Sequence, residues 1–184
     1  GLGVIALFSG MPGTGKTMLA GMIAANVGLP IFRVDVSQIS SKWIGETDKN
    51  LATLFDAAET SHAILLFDEA DALFSKRTEV KSSNDHHANT TVSYLLQRLE
   101  AFKGICFLTT NHEKSIDEAF RRRISMHIRF ALPLEEERLA MWLAAIPAAA
   151  PVATIDFERL AKRFAMSGGY IRNAVVRAAF LAAK

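Results

Sequence analysis

The sequence predicts an α/β fold: a five-stranded parallel sheet covered by helices, followed by a small all-helical subdomain. Short strand-like runs, most of them nearly continuously apolar as in strands covered on both faces, alternate with segments whose apolar residues recur at helical spacing. After Pro133 the strand-like runs stop and three amphipathic segments follow. With 184 residues, 50% of them hydrophobic, the chain can build one substantial core and a small satellite.

In order, VIALFS (4–9), IFRVDV (31–36), AILLFD (63–68), ICFLTT (105–110) and MHIRFAL (126–132) read as strands. Between them, Leu51, Leu54, Phe55 and Ala58 mark one helix, and Val92, Leu95, Leu96 and Leu99 another. Beyond Pro133, Leu139, Trp142, Leu143 and Ile146 define a helix. Phe157, Leu160, Ala161 and Phe164 define a second, and Ile171, Ala174, Val175 and Ala178 a third. AIPAAAPVAT (145–154) is a connector within this part, and the polar stretch 75–90 reads as a mobile loop. The expected organisation is an α/β subdomain over 1–132 and a helical lid over 133–184. Gly1 stands directly before a strand and the last helix runs into Lys184, so a piece of a longer protein is expected.

Composition excludes some classes. The net charge is +2, from 21 basic and 19 acidic residues, without the basic excess of many nucleic-acid binders. No apolar run approaches the ~18–20 residues that span a bilayer, and no secretory signal opens the chain. The single cysteine, Cys106, lies in an apolar strand and excludes a disulfide framework, which suits a cytoplasmic protein. His62, His86, His87, His112 and His127 show no zinc-ligand spacing and read as surface residues.

GMPGTGKT (10–17) fits G-x-x-x-x-G-K-[ST] after a strand and at the start of a helix, the context that makes it a phosphate-binding loop. Glycines let the backbone wrap phosphate with its N–H groups inward, and the helix N-terminus adds its dipole. The candidate ATP-binding residues are Gly10, Pro12, Gly13, Thr14, Gly15, Lys16, Thr17 and Met18. Lys16 is expected to reach the β- and γ-phosphates, and Thr17 to ligate Mg²⁺. In AILLFDEAD (63–71), Asp68 ends a buried strand where it can hold the Mg²⁺ water shell, and Glu69 can polarise the attacking water. Asp71 reads as an acid favoured at a helix start.

These motifs, in this order along the whole chain, resemble the ATPases associated with diverse cellular activities, the AAA family. The resemblance implies further roles. Asn111, ending LTTN (108–111), matches the first sensor, beside the γ-phosphate. IDEAFRRR (116–123) is similar to the segment that places arginine fingers in a neighbouring subunit's site; Arg122 and Arg123 align best, and the cluster leaves open which one acts. GGYIRNAV (168–175) resembles the second sensor, with Arg172 reaching toward the γ-phosphate and Gly168 and Gly169 allowing close approach to adenine. SKWIGETDKN (41–50) is similar to the pore loop of protein-threading members, with Trp43 and Ile44 gripping polypeptide.

The resemblance thus implies a Mg²⁺-dependent ATPase in a homo-oligomeric ring, a hexamer, acting on a protein substrate. Arg172 keeps a second reading open, a clamp-loader or initiator relative acting on nucleic acid. A slow nucleotide-dependent scaffold is a third, which intact Lys16, Asp68 and Glu69 disfavour. A small-molecule kinase is a distant fourth.

Overall fold

The computed structural model describes residues 3–35, 47–71, 93–113, 116, 118–150 and 154–183. The expectations placed on Trp43 and Ile44, and on the stretch 75–90, lie outside the described residues. The chain divides into two compact units. One comprises Gly1–Ser9 with Lys16–Arg129, the other Gly10–Gly15 with Phe130–Lys184.

Five strands run through the first unit: β1 (Val4–Gly10), β2 (Ile31–Asp35), β3 (Ile64–Asp68), β4 (Ile105–Thr110) and β5 (Met126–Phe130), the last residues of β1 and β5 being counted with the second unit. They form one sheet in the order β2-β3-β4-β1-β5. The pairs β1–β4, β2–β3 and β3–β4 are parallel. Every residue of β3 is buried, as are Cys106 to Thr110 of β4 and Ile5 to Ser9 of β1, which explains their unbroken apolar runs. Burial also pushes the Cys106 thiol pKa up, consistent with a core residue.

The fifth strand is less covered than the central ones: Met126, His127 and Arg129 are exposed, His127 as expected. It lies at the end of the strand order, so nothing in the sheet covers its outer side. Helices α1 (Lys16–Val27), α2 (Thr47–Ser61), α3 (93–101) and the short α4 (Glu118–Arg121) complete the unit. From α2, Leu51, Phe55 and Ala58 recur on one face and are buried. Phe55 meets Phe102 edge-on at 5.5 Å and stacks near Phe67 at 6.0 Å. Each such ring contributes roughly 1.5–3 kcal/mol relative to exposure. Helix α1 buries only Lys16, Ala20 and Ala24, a stripe at i, i+4, i+8 whose small alanines allow close packing.

The second unit is built from α5 (Glu135–Ala145), α6 (Phe157–Arg163) and α7 (Gly168–Ala182). Its core holds Trp142, Ala161 and Ile171, ringed by Leu139, Phe157 and Leu160. Glutamates 135 to 137 suit the positive end of α5, and the Glu137 carboxylate accepts the Leu134 N–H at 2.7 Å. Asp156 caps α6 by accepting from the Arg159 N–H at 2.8 Å. Buried Arg138 donates to the carbonyls of Ala161 (2.9 Å) and Pro133 (2.6 Å), tying α5 to α6 and to the segment entering it.

Candidate active site

Strands β3, β4 and β1 lie side by side and parallel, so Asp68, Thr110 and Ser9 collect at one edge of the sheet, where α/β folds bind ligands. Lys16, the first residue of α1, is buried, and its Nζ donates to Asn111 Oδ1 at 2.9 Å. Desolvation lowers the Lys16 pKa, opposed by the charges of Asp68, Asp71 and Glu69. An incoming anion would offset that desolvation, as a phosphate-binding lysine requires.

Asp68 is 6% exposed at the end of β3. Its Oδ1 accepts from two hydroxyls, Thr17 Oγ1 at 3.0 Å and Thr109 Oγ1 at 2.5 Å. Its Oδ2 accepts from the Arg33 guanidinium at 2.5 Å. Glu69, the next residue, is exposed and takes φ +53°, rare for a residue with a Cβ. Its backbone N–H donates to Thr109 Oγ1 at 3.0 Å, which holds the strained turn.

The stretch Gly10–Gly15 belongs to the second unit and is held there by α7. Gly169 N–H donates to the Gly13 carbonyl at 2.9 Å, and Ser167 Oγ donates to the Pro12 carbonyl at 3.0 Å. Ser167 stands at the N-cap of α7 but spends its hydroxyl on the loop rather than on the helix. Gly10, Gly13 and Gly15 all take a positive φ, and at the first two a side chain would also clash. Gly10 has φ +149° and a Cβ there would lie 2.3 Å from the Phe130 carbonyl oxygen; Gly13 has φ +75° and a Cβ would lie 2.7 Å from Ser167 Oγ. Thr14 Oγ1 donates to the Met11 carbonyl at 2.8 Å, bracing the loop from within.

Met18 is exposed on α1, and Arg172 is exposed in the second turn of α7. Arg122 is 77% exposed at its side chain, with an i,i+4 contact to Glu118 at 3.1 Å. Exposed pairs of that kind hold a side chain weakly. Arg123 Nε instead bonds Glu100 Oε1 at 2.8 Å.

The arrangement matches a known family over most of its length. Residues 6–132 fit the model of the "ATPase family associated with various cellular activities (AAA)". The chain belongs to the AAA family of ATPases. Over 96% of its length it is 36% identical to ATPase family gene 2 protein of Schizosaccharomyces pombe, spanning 22% of that protein. It is 31% identical over 96% of its length to 26S proteasome regulatory subunit 10B homolog A of Arabidopsis thaliana, spanning 46% of it. Among solved structures it is similar to the FIGL-1 AAA domain in complex with ADP: TM-score 0.78, 26% identity, 91% of this chain and 57% of that one covered. The chain therefore spans less than half the length of either curated relative.

Two further residues of this AAA domain shape the site and were not singled out as site residues from sequence. Thr109 is fully buried and serves both carboxylate positions: its hydroxyl donates to Asp68 and accepts from the Glu69 N–H. Asp71, expected only to favour a helix start, reaches across to the end of β4. Its Oδ1 accepts from the Thr110 hydroxyl, from Asn111 N–H at 3.1 Å and from His112 N–H at 3.2 Å. It thereby pins the peptide that carries Asn111. The available signal was two adjacent threonines closing an apolar strand, because buried hydroxyls need partners.

A polar cluster flanks β1. Ser9 Oγ donates to Glu113 Oε2 at 3.2 Å and lies 2.8 Å from His127 Nε2, and Arg129 bonds Glu113 at 2.6 Å. Although His127 as a residue is exposed, partial desolvation of its ring against Ser9 lowers its pKa, with the Glu113 charge opposing and the Arg129 and Arg121 charges assisting. For Glu113, burial raises the pKa, but hydrogen bonds from Arg129 and Ser9 bring it below the usual carboxylate value.

Proposed function

We propose that this domain binds ATP with Mg²⁺ and hydrolyses it as one subunit of a homo-hexameric, cytoplasmic ring that remodels or threads a protein substrate. The observation that carries the reading is a pair of hydrogen-bonded sets, Lys16–Asn111 and Thr17–Asp68–Thr109, held from adjacent residues of α1 at the sheet edge. Its donor set suits a hydrated Mg²⁺. Thr17 gives its hydroxyl proton to Asp68, leaving oxygen lone pairs for a cation, while Asp68 supplies a buried carboxylate for the cation's water shell. When bound, Mg²⁺ neutralises charge on the phosphates.

The rest follows from the chain's own groups. The loop from Gly10 to Gly15 offers backbone N–H groups, and Lys16 a cation, to the phosphates. Asn111 orients the attacking water through its amide, and the Glu69 carboxylate accepts the water's proton. Exposed Arg122 is the better-placed finger for a neighbouring subunit, since Arg123 is engaged with Glu100 of its own chain. Arg172 on α7 senses the γ-phosphate. Trp43 and Ile44 grip the substrate.

A protein substrate is supported by relatives named as a proteasome regulatory subunit and as the ATP-dependent zinc metalloprotease FtsH 3 of Sphaerobacter thermophilus, 31% identical over 96% of the chain. The test is ATP turnover of the full-length protein with unfolded polypeptide or DNA added, with Glu69→Gln as the hydrolysis-dead control. Unfolded polypeptide should raise turnover, and Trp43→Ala should remove the rise without changing ATP affinity. Stimulation by DNA alone, indifferent to Trp43→Ala, would replace this reading with the nucleic-acid one.

A further inference from the structure

We infer that Arg33 is a resident counter-cation of Asp68 with which Mg²⁺ has to compete, so that one carboxylate oxygen couples metal binding to nucleotide binding. The inference rests on the phosphate-loop reading above and adds a residue that no motif in it contains. Arg33 lies on β2, the outermost strand on its side of the sheet. It is in register with Leu66, two positions before Asp68 on the same face of β3. Its guanidinium therefore reaches Asp68 Oδ2 diagonally, at 2.5 Å, while the side chain as a whole stays 66% exposed.

The division of labour at Asp68 gives the argument its force. The other oxygen, Oδ1, already accepts two hydroxyl protons, from Thr17 on α1 and Thr109 on β4, both fixed by regular structure. The acceptor capacity left for metal-bound water is therefore concentrated on Oδ2, the oxygen that Arg33 holds. A guanidinium and a hydrated dication near one oxygen repel each other. Arg33 is exposed and long, so it can swing away; the threonines cannot. Without metal, Arg33 cancels the charge that Asp68 would otherwise present to polyphosphate, favouring nucleotide. With metal, it opposes the dication. Both effects shrink the gain in nucleotide affinity that Mg²⁺ brings.

The experiment measures the dissociation constant of a fluorescent ADP analogue twice, in EDTA and at saturating Mg²⁺, for the parent, Arg33→Ala and Arg33→Gln. Circular dichroism confirms folding, which an exposed position should preserve. The ratio of the two constants, EDTA over Mg²⁺, should rise about 1.5-fold to fivefold in both variants, the range expected of an ion pair whose cation is solvent-exposed. A purely structural role for Arg33 would move both constants together and leave the ratio alone. A ratio in Arg33→Ala within about 1.5-fold of the parent, or below it, overturns the proposal. So does a parent-like ratio in Arg33→Gln, because hydrogen bonding rather than charge would then explain the contact. If the parent binds no nucleotide in either condition, the phosphate-loop reading falls and the Arg33 proposal with it.

Discussion

Replacing Asp71 tests whether Asn111 is held from behind. One Asp71 oxygen accepts from three donors, the Thr110 hydroxyl and the N–H groups of Asn111 and His112. Hydrogen bonds to a charged group contribute about 1.5–3 kcal/mol each when buried. Only Thr110 is fully buried; Asn111 is half-buried and His112 exposed, so water can replace their bonds. Asp71→Ala should therefore cost about 2–3 kcal/mol, mostly from Thr110, which in a domain of this size lowers Tm by about 5–10 °C. Asp71→Asn keeps one acceptor oxygen and should cost about half as much. The functional consequence is separate. Freed of its anchors, the Asn111 peptide can drift, and under the role proposed for Asn111 in orienting the attacking water, its displacement should lower turnover by about tenfold to a hundredfold. ADP affinity should fall less than turnover: these Asp71 donors lie outside Gly10–Gly15, while Lys16 loses only the Asp71 charge and a firmly held Asn111 partner. The assay pairs thermal melting with ATP turnover and ADP titration. A melt within about 1 °C of the parent would refute the bonding argument. A lowered melt with parental turnover would show that Asp71 stabilises the fold without positioning Asn111.

Thr109→Val keeps the shape of a fully buried side chain but removes a donor to Asp68 and the acceptor of the Glu69 N–H. It should cost about 2–4 kcal/mol of stability by urea denaturation and lower turnover more than ADP affinity; unchanged turnover would show that Glu69 holds its backbone geometry without Thr109. For pH, the folded-state pKa of His127 is lowered, so the unfolded chain binds its proton more readily. Stability should rise with pH from that lowered value up to the unfolded value near 6.5, and His127→Gln should flatten the rise in urea midpoint through that window.

What the sequence made legible was whatever is local along the chain. The strand runs, the phosphate loop and the Asp-Glu pair after β3 each announce themselves within ten residues or so. What it hid depends on strand order. Thr109 meets Asp68 because β4 lies beside β3 in the sheet, and Arg33 meets it because β2 lies on the other side. Neither contact has a periodicity to betray it. Asp71 looked like a helix-start acid because that explanation is always available for a carboxylate after a strand, whereas its partners lie some forty residues away. The exposure of β5 was not legible either: MHIRF alternates enough to suit a covered or an uncovered strand, and only its place at the end of the order decides.

The chemistry of Asp68 explains why its neighbours are of two kinds. A carboxylate 6% exposed must be ionised to serve a cation, and an unpaired buried charge costs several kcal/mol. Neutral donors alone lessen that cost without cancelling the charge, and a rigid buried cation would cancel it permanently. The chain uses both solutions on different oxygens. Thr17 and Thr109, from a helix and a central strand, fix the orientation of the carboxylate before any ligand arrives. Arg33, from an edge strand with most of its side chain in water, cancels the charge reversibly. A lysine at that position would bring the same charge but a single-point, more strongly hydrated head, and so would hold Asp68 less firmly between nucleotides. Edge placement matters as much as residue type, because a guanidinium anchored between two central strands could not leave when a dication approached.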